Sequence, residues 1–133
     1  MATDQYAETI DDIEETFGLV PSPLDDIPEG DTVAEWPTFK KYVVGETEIP
    51  PKYRELMGLA VAANIKCPYC THFHTEAARM HVATDADLAE ASSLAGFTSR
   101  YSAMLHAQQA DLDEFKRDVA RIGEHLHGVA ADD

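Results

Sequence analysis

Residues 51–74 read PKYRELMGLAVAANIKCPYCTHFH, and the reading of this stretch decides the fold. Proline at its start suits a first helical turn, where a missing N–H costs nothing. Tyr53, Leu56, Met57, Ala60, Val61 and Asn64 then fall on one helical stripe. Leu59, Ala62 and Ala63 make the opposite side apolar too, so the pattern predicts a buried central helix. Cys67 and Pro68 open the next helix, which runs to about Val82.

Working outward, the helical period continues. Upstream, Tyr6, Ile10, Ile13 and Phe17 recur at three- and four-residue steps between acids, with Thr3 as a candidate cap and Gly18 as a stop. Three prolines in residues 21–28 predict an extended loop over Leu19 to Gly30. Val33, Trp36, Phe39, Lys40 and Val43 predict a short helix ending at Gly45, with Pro37 as a candidate first residue. Downstream, Thr84 and Asp87 form a capping-box pattern before Leu88, Ala91 and Ala95, which should face inward. Gly96 is read as an interruption, after which Phe97, Tyr101, Met104, Leu105 and Gln108 resume a helical stripe. Asp111 and Glu114 should cap the last helix, and Gly128 should end it ahead of a frayed tail. Its Leu112, Phe115, Val119, Ile122 and Leu126 have heptad-like spacing, suited to packing on another helix or subunit.

No strand-like alternation and no long internal repeat intervene. The expected fold class is all-α: a single-domain bundle of about six helices over residues 1–133, with the Cys-x-x-Cys at the N-terminus of a central helix. The core is expected at about 50–110, with N-terminal helices and a proline-rich loop over 1–48.

A chain of 133 residues can bury one core. Its longest nearly unbroken apolar run, Leu56 to Ala63, is far short of the roughly 20 residues of a membrane helix. No basic segment precedes an apolar stretch at the N-terminus, so no signal peptide is expected and the cytoplasm is the default location. The formal net charge is −15, which repels phosphate backbones and argues against nucleic acid. The acids recur along almost every segment, as an acidic solvated face would require. They equally suit a cytoplasm of very high salt, where self-repulsion is screened, and that halophile-like reading is preferred.

Both cysteines lie in the CPYC of residues 67–70. In a reducing compartment they are rarely a structural staple, and so small a loop adds little stability by chain entropy. A reactive cysteine needs its thiolate favoured, and a helix N-terminus supplies unpaired N–H groups and the positive end of the dipole. Cys67 and Cys70 share the first turn and can close a disulfide. His74 stands four residues after Cys70 on the same face, able to take its proton directly or through water. His72 shares a face with Glu76 and Arg79 and reads as solvated. His81, His125 and His127 sit near helix C-termini, where a cation is favoured, and His106 has no assigned role. Glu55 is out of place on the apolar helix: its charge is costly there unless paired or near water. It can serve as proton-relay partner to the histidine. Zinc has potential ligands in Cys67, Cys70, His72 and His74, but four within eight residues on one helix cannot easily surround an ion. No metal and no cofactor are expected.

Over about Tyr53 to Gln108, and most strongly over ELMGLAVAANIKCPYCTHFH, the chain resembles the alkylhydroperoxidase AhpD-like, carboxymuconolactone decarboxylase family. Glu55 matches the family's glutamate twelve residues before the first cysteine, and Cys67, Cys70 and His74 match its Cys-x-x-Cys-x-x-x-His. The resemblance implies an all-α subunit that assembles as a homo-oligomer, a trimer or hexamer. It implies that Cys70 attacks a hydroperoxide and becomes a sulfenic acid, that Cys67 closes the disulfide, and that His74 and Glu55 relay the proton. An external dithiol reductant or redox protein then resets the pair. Tyr69 departs from the pattern, since the family's peroxidases often place a histidine there, and Tyr69 cannot act as a base near neutral pH. The family's lactone decarboxylases lack the cysteine pair, so decarboxylation is the second expectation and a non-enzymatic zinc module the third.

Overall fold

The structure, a computed structural model, describes the backbone of residues 2–131 and the side chains of residues 4–128. Among these residues there are six α-helices and no strand: α1 (Ala2–Phe17), α2 (Glu29–Val43), α3 (Pro51–Asn64), α4 (Pro68–Met80), α5 (Asp85–Ala107) and α6 (Leu112–Ala131). A short 3-10 helix at Ser22–Asp26 lies between α1 and α2. The all-α class and the helix count agree with the sequence reading.

Two packing units result. α1 and α2 pair through Phe17, Trp36 and Phe39, whose rings meet at centroid distances of 5.5 to 6.3 Å. Asp12 clasps the pair from the side, accepting from Trp36 Nε1 and from Lys40 Nζ, each at 2.6 Å. Those two bonds hold the Asp12 carboxyl below its ordinary range. The second unit is α3 packed on α4 and α5. Its core is Leu59, Ala78, Ala83, Leu88 and Ala91, with Leu56 at the edge. The many alanines let the helix backbones approach closely. Thr84 and Asp87 form the full capping box, and Lys52 of α3 reaches Asp87 at 3.0 Å. The Thr84 N–H and then Lys52 lower the Asp87 pKa to about 2.

Five expectations need correction. Leu19 to Gly30 is not simply an extended loop. It contains the 3-10 helix, and α2 begins at Glu29, with acids in its first turn and the Thr32 hydroxyl donating to Pro28 O. Pro37 lies inside α2; it removes one helical bond, and its ring is exposed, where solvent can satisfy the freed carbonyl. Gly96 does not interrupt α5, and Gly128 does not end α6, because no packing demand opposes the helix at either point. α3 is not buried all round: Tyr53, Met57 and Val61 are each more than half exposed. α1 starts ahead of Thr3, whose side chain lies outside the described residues, as does part of the tail expected to fray.

α6 has an apolar seam but little to pack on. Leu112, Phe115, Val119, Ile122 and Leu126 are all exposed. Asp111 does cap it, accepting from Glu114 N at 2.7 Å.

Candidate active site

The turn between α3 and α4 builds the site. Lys66 adopts a left-handed conformation, φ 61°, at the end of α3. Cys67 N–H bonds back to Ala62 O at 3.1 Å and Lys66 N–H to Ala63 O at 3.4 Å, a Schellman ending with lysine in place of the usual glycine. The reversal leaves Cys67 with extended backbone as N-cap of α4 and Pro68 at the first helical position. The Cys67 sulfur is itself the cap: Sγ accepts the Cys70 N–H at 3.2 Å.

Both thiols are free and half-buried. The hydrogen bond from Cys70 favours the Cys67 thiolate first, and the Cys70 backbone N–H adds to it, so the Cys67 pKa is lowered. The same sulfur–sulfur contact, with burial and the Cys67 charge, raises that of Cys70. The ground-state thiolate is therefore favoured on Cys67, the cysteine that the sequence reading makes the second to react.

α3 runs beside α4, and this brings Glu55 opposite His74. Glu55 is 3% exposed. Its Oε2 accepts from His74 Nδ1 at 2.7 Å, which leaves Nε2 free to exchange a proton. The pairing places one helical turn between the buried carboxylate–imidazole couple and Cys70. No hydrogen bond joins His74 to Cys70 among the described residues, so transfer needs a water or a rotamer change.

Gly58 is the residue that sequence reasoning missed. A β-carbon there would lie 2.5 Å from His74 Nδ1 and 2.7 Å from Nε2. The imidazole reaches Glu55 by lying directly on the glycine.

A cleft of about 470 Å³ opens beside the pair, lined by Tyr42, Ile49, Arg54, Met57 and Phe73 as well as Glu55 and His74. Arg54 is drawn to the α2–α3 connection, donating to Gly45 O at 2.8 Å and to Thr47 Oγ1. A separate cleft of about 680 Å³ meets Cys67, bordered by Lys66, Thr71, His72 and Thr75. His72, His106, His125 and His127 are exposed, and His81 is the C-terminal cap of α4. Tyr69 is 86% exposed. Among the described residues no three His, Cys, Asp or Glu side chains converge as a metal-binding group.

The carboxymuconolactone decarboxylase family model matches residues 31–111, from α2 through α5 to just short of α6. No curated protein matches the chain. Among solved structures, the alkylhydroperoxidase AhpD core from Rhodospirillum rubrum is similar, with a TM-score of 0.70 and 32% identity, covering 84% of this chain and 85% of that one. A shared fold at this identity, with the family match over more than half of the sequence, places the chain: it belongs to the AhpD-like, carboxymuconolactone decarboxylase family.

Proposed function

We propose that the protein is a thiol-dependent peroxidase, an oxidoreductase with an antioxidant role. The observation that supports this most is the His74–Glu55 pair at 2.7 Å, one turn from a Cys-x-x-Cys whose first sulfur already accepts from the second residue's N–H. In the proposed cycle His74 takes the Cys70 proton, with Glu55 stabilising the imidazolium. Cys70 Sγ attacks the terminal peroxide oxygen; the O–O bond breaks, and the alkoxide leaves as alcohol after receiving a proton from the relay. Cys67 then attacks the Cys70 sulfenic sulfur, its thiol proton passing to the departing hydroxide, which leaves as water. An external dithiol reduces the disulfide and is itself oxidised to a disulfide.

A second reading has support in the electrostatics. Cys67, whose thiolate is favoured, attacks first and Cys70 resolves. Single-turnover stopped flow separates the two. Under the main reading Cys70→Ser consumes no hydroperoxide, and Cys67→Ser consumes about one equivalent and stops at a sulfenic acid. The reverse pattern would move the peroxidatic role to Cys67. If the double Cys→Ser protein keeps full activity on a lactone acid, decarboxylation replaces both readings.

Assembly into a trimer or hexamer is part of the proposal. Tyr53, Met57 and Val61 on α3 and Leu94, Phe97 and Tyr101 on α5 are exposed, and the α6 seam adds to them. So much apolar surface on one small chain suits burial against further copies. Sedimentation should show a species about three or six times the 14.6 kDa subunit; a 14.6 kDa species alone would overturn it. No helix among the described residues is long and apolar enough to cross a membrane.

A further inference from the structure

A third cleft, of about 520 Å³, lies between α1, the 3-10 helix and α2, away from the cysteines. Its walls are Ile13, Phe17, Leu24, Ile27, Trp36 and Phe39, and it ends at Phe73 of α4. Its volume falls in the range of small-molecule pockets, about 300–1,000 Å³. Polar groups at the wall are few and mostly occupied. Trp36 Nε1 is spent on Asp12 and the Thr32 hydroxyl on Pro28 O; Glu35 stands at the rim. Such a lining offers a ligand hydrophobic contact and almost no hydrogen bonds.

The charge around the cleft narrows the class further. No lysine or arginine precedes Lys40, and Lys40 is bound to Asp12. Asp25, Asp26, Glu29 and Glu35 are exposed along the same segment. The cation nearest the wall, Lys40 Nζ at 6.0 Å from the Trp36 ring centroid, is bound to Asp12, so a carboxylate or sulfate headgroup would meet mostly like charge there.

Phe73 joins this cleft to the candidate active site. Its ring lies 6.4 Å from Phe39 on one side and 5.2 Å from the His74 ring on the other, and it lines the His74 cleft as well. Phe73 is also three residues from Cys70, hence its neighbour on the helix surface.

We propose that the α1–α2 cleft is a binding subsite for the uncharged alkyl or aryl body of the substrate, which passes Phe73 so that its reacting end reaches His74 and Cys70. The role as a substrate subsite rests on the peroxidase reading; the binding of an uncharged apolar molecule does not. The enzyme then selects neutral, bulky hydroperoxides over hydrogen peroxide and over fatty-acid hydroperoxides that carry a free carboxylate.

Trp36 is the chain's one tryptophan and lies in the wall, so it reports occupancy directly. Decanol titrated into the Cys70→Ser protein should change Trp36 fluorescence saturably, with decanoate binding about ten-fold more weakly. Leu24→Asp, on the 3-10 helix, should weaken decanol by about ten-fold. In the wild-type cysteine background it should raise the KM for decyl hydroperoxide relative to that for tert-butyl hydroperoxide, whose short body fills little of the cleft, by a similar factor. Ile27→Asp, at the exposed rim, repeats the test should Leu24→Asp fail to fold. A flat fluorescence titration, or decanoate binding as well as decanol, overturns the subsite. Saturable decanol binding with an unchanged KM ratio overturns its role in substrate selection. Saturable binding by a protein that turns over no hydroperoxide instead overturns the peroxidase reading, and the substrate role with it.

Discussion

Gly58→Ala should lower kcat/KM for a hydroperoxide by about 100-fold while the protein stays folded. The added carbon would lie 2.5 Å from His74 Nδ1, well inside van der Waals contact, so the imidazole must move. Displacing a relay group by about 1 Å costs on the order of 100-fold in rate. Stability should change much less, because two effects oppose each other. Alanine in a helix interior is favoured over glycine by about 1 kcal/mol. Forcing extra volume against a packed ring costs about 1–3 kcal/mol. A net loss of at most about 2 kcal/mol leaves a folded protein of much reduced activity.

Gly96→Ala on α5 is the matched control. A β-carbon there meets nothing within 4 Å, so the helix preference acts alone. Thermal unfolding should show Gly96→Ala at or above wild type, by up to about 1 kcal/mol, with full activity. Should Gly58→Ala retain wild-type turnover, close approach of His74 to α3 is not needed for the chemistry.

The contrast between these two glycines shows what the sequence could and could not say. Gly58 is the one glycine of an alanine- and leucine-rich helix, three residues after Glu55, and that cost to helix propensity was a readable signal of close approach. Gly96 has the same local appearance and no such role. Only the position of a side chain on another helix distinguishes them. The cysteine pair and His74 were legible because their spacing maps directly onto helix geometry, as was the capping box at Thr84; Glu55 stood out as a carboxylate on an apolar helix, and the family resemblance matched it. Pro37 misled because proline marks helix starts more often than interiors, whereas the acids at Glu29 and Asp31 marked the true start of α2.

Helix ends were obscured differently. Lys66, Val82 and Gln109 take left-handed conformations normally left to glycine. Each closes a Schellman pair, as in the bonds of Ala83 N to Ala78 O and of Val82 N to Arg79 O, both at 3.0 Å. The chain must reverse between successive helices, and the residue at that point bears the strain. Hydrophobic period likewise shows which face of α3 or α6 is apolar, but not whether its cover comes from the same chain. Hence a helix read as buried all round exposes Tyr53, Met57 and Val61 within one subunit.

His74→Ala should destabilise the protein by about 2–3 kcal/mol, besides abolishing turnover. Glu55 has almost no contact with water, and its carboxylate has His74 as hydrogen-bond partner. Removing the partner leaves a buried charge without compensation, whose cost is about 3–5 kcal/mol for fully buried pairs. The His74 side chain is 27% exposed, so water entering the vacated space recovers part of that. At fixed protein concentration the midpoint of thermal unfolding should fall by roughly 10 °C. The cause can be separated from loss of ring packing. In the His74→Ala background, Glu55→Met removes the charge and keeps most of the volume, so it should restore stability towards wild type. Activity should stay lost, because the restored packing supplies no proton acceptor. If the double variant is instead less stable than His74→Ala, the cost comes from packing alone. The buried couple would then be a structural element of α3 and α4 before it is a relay.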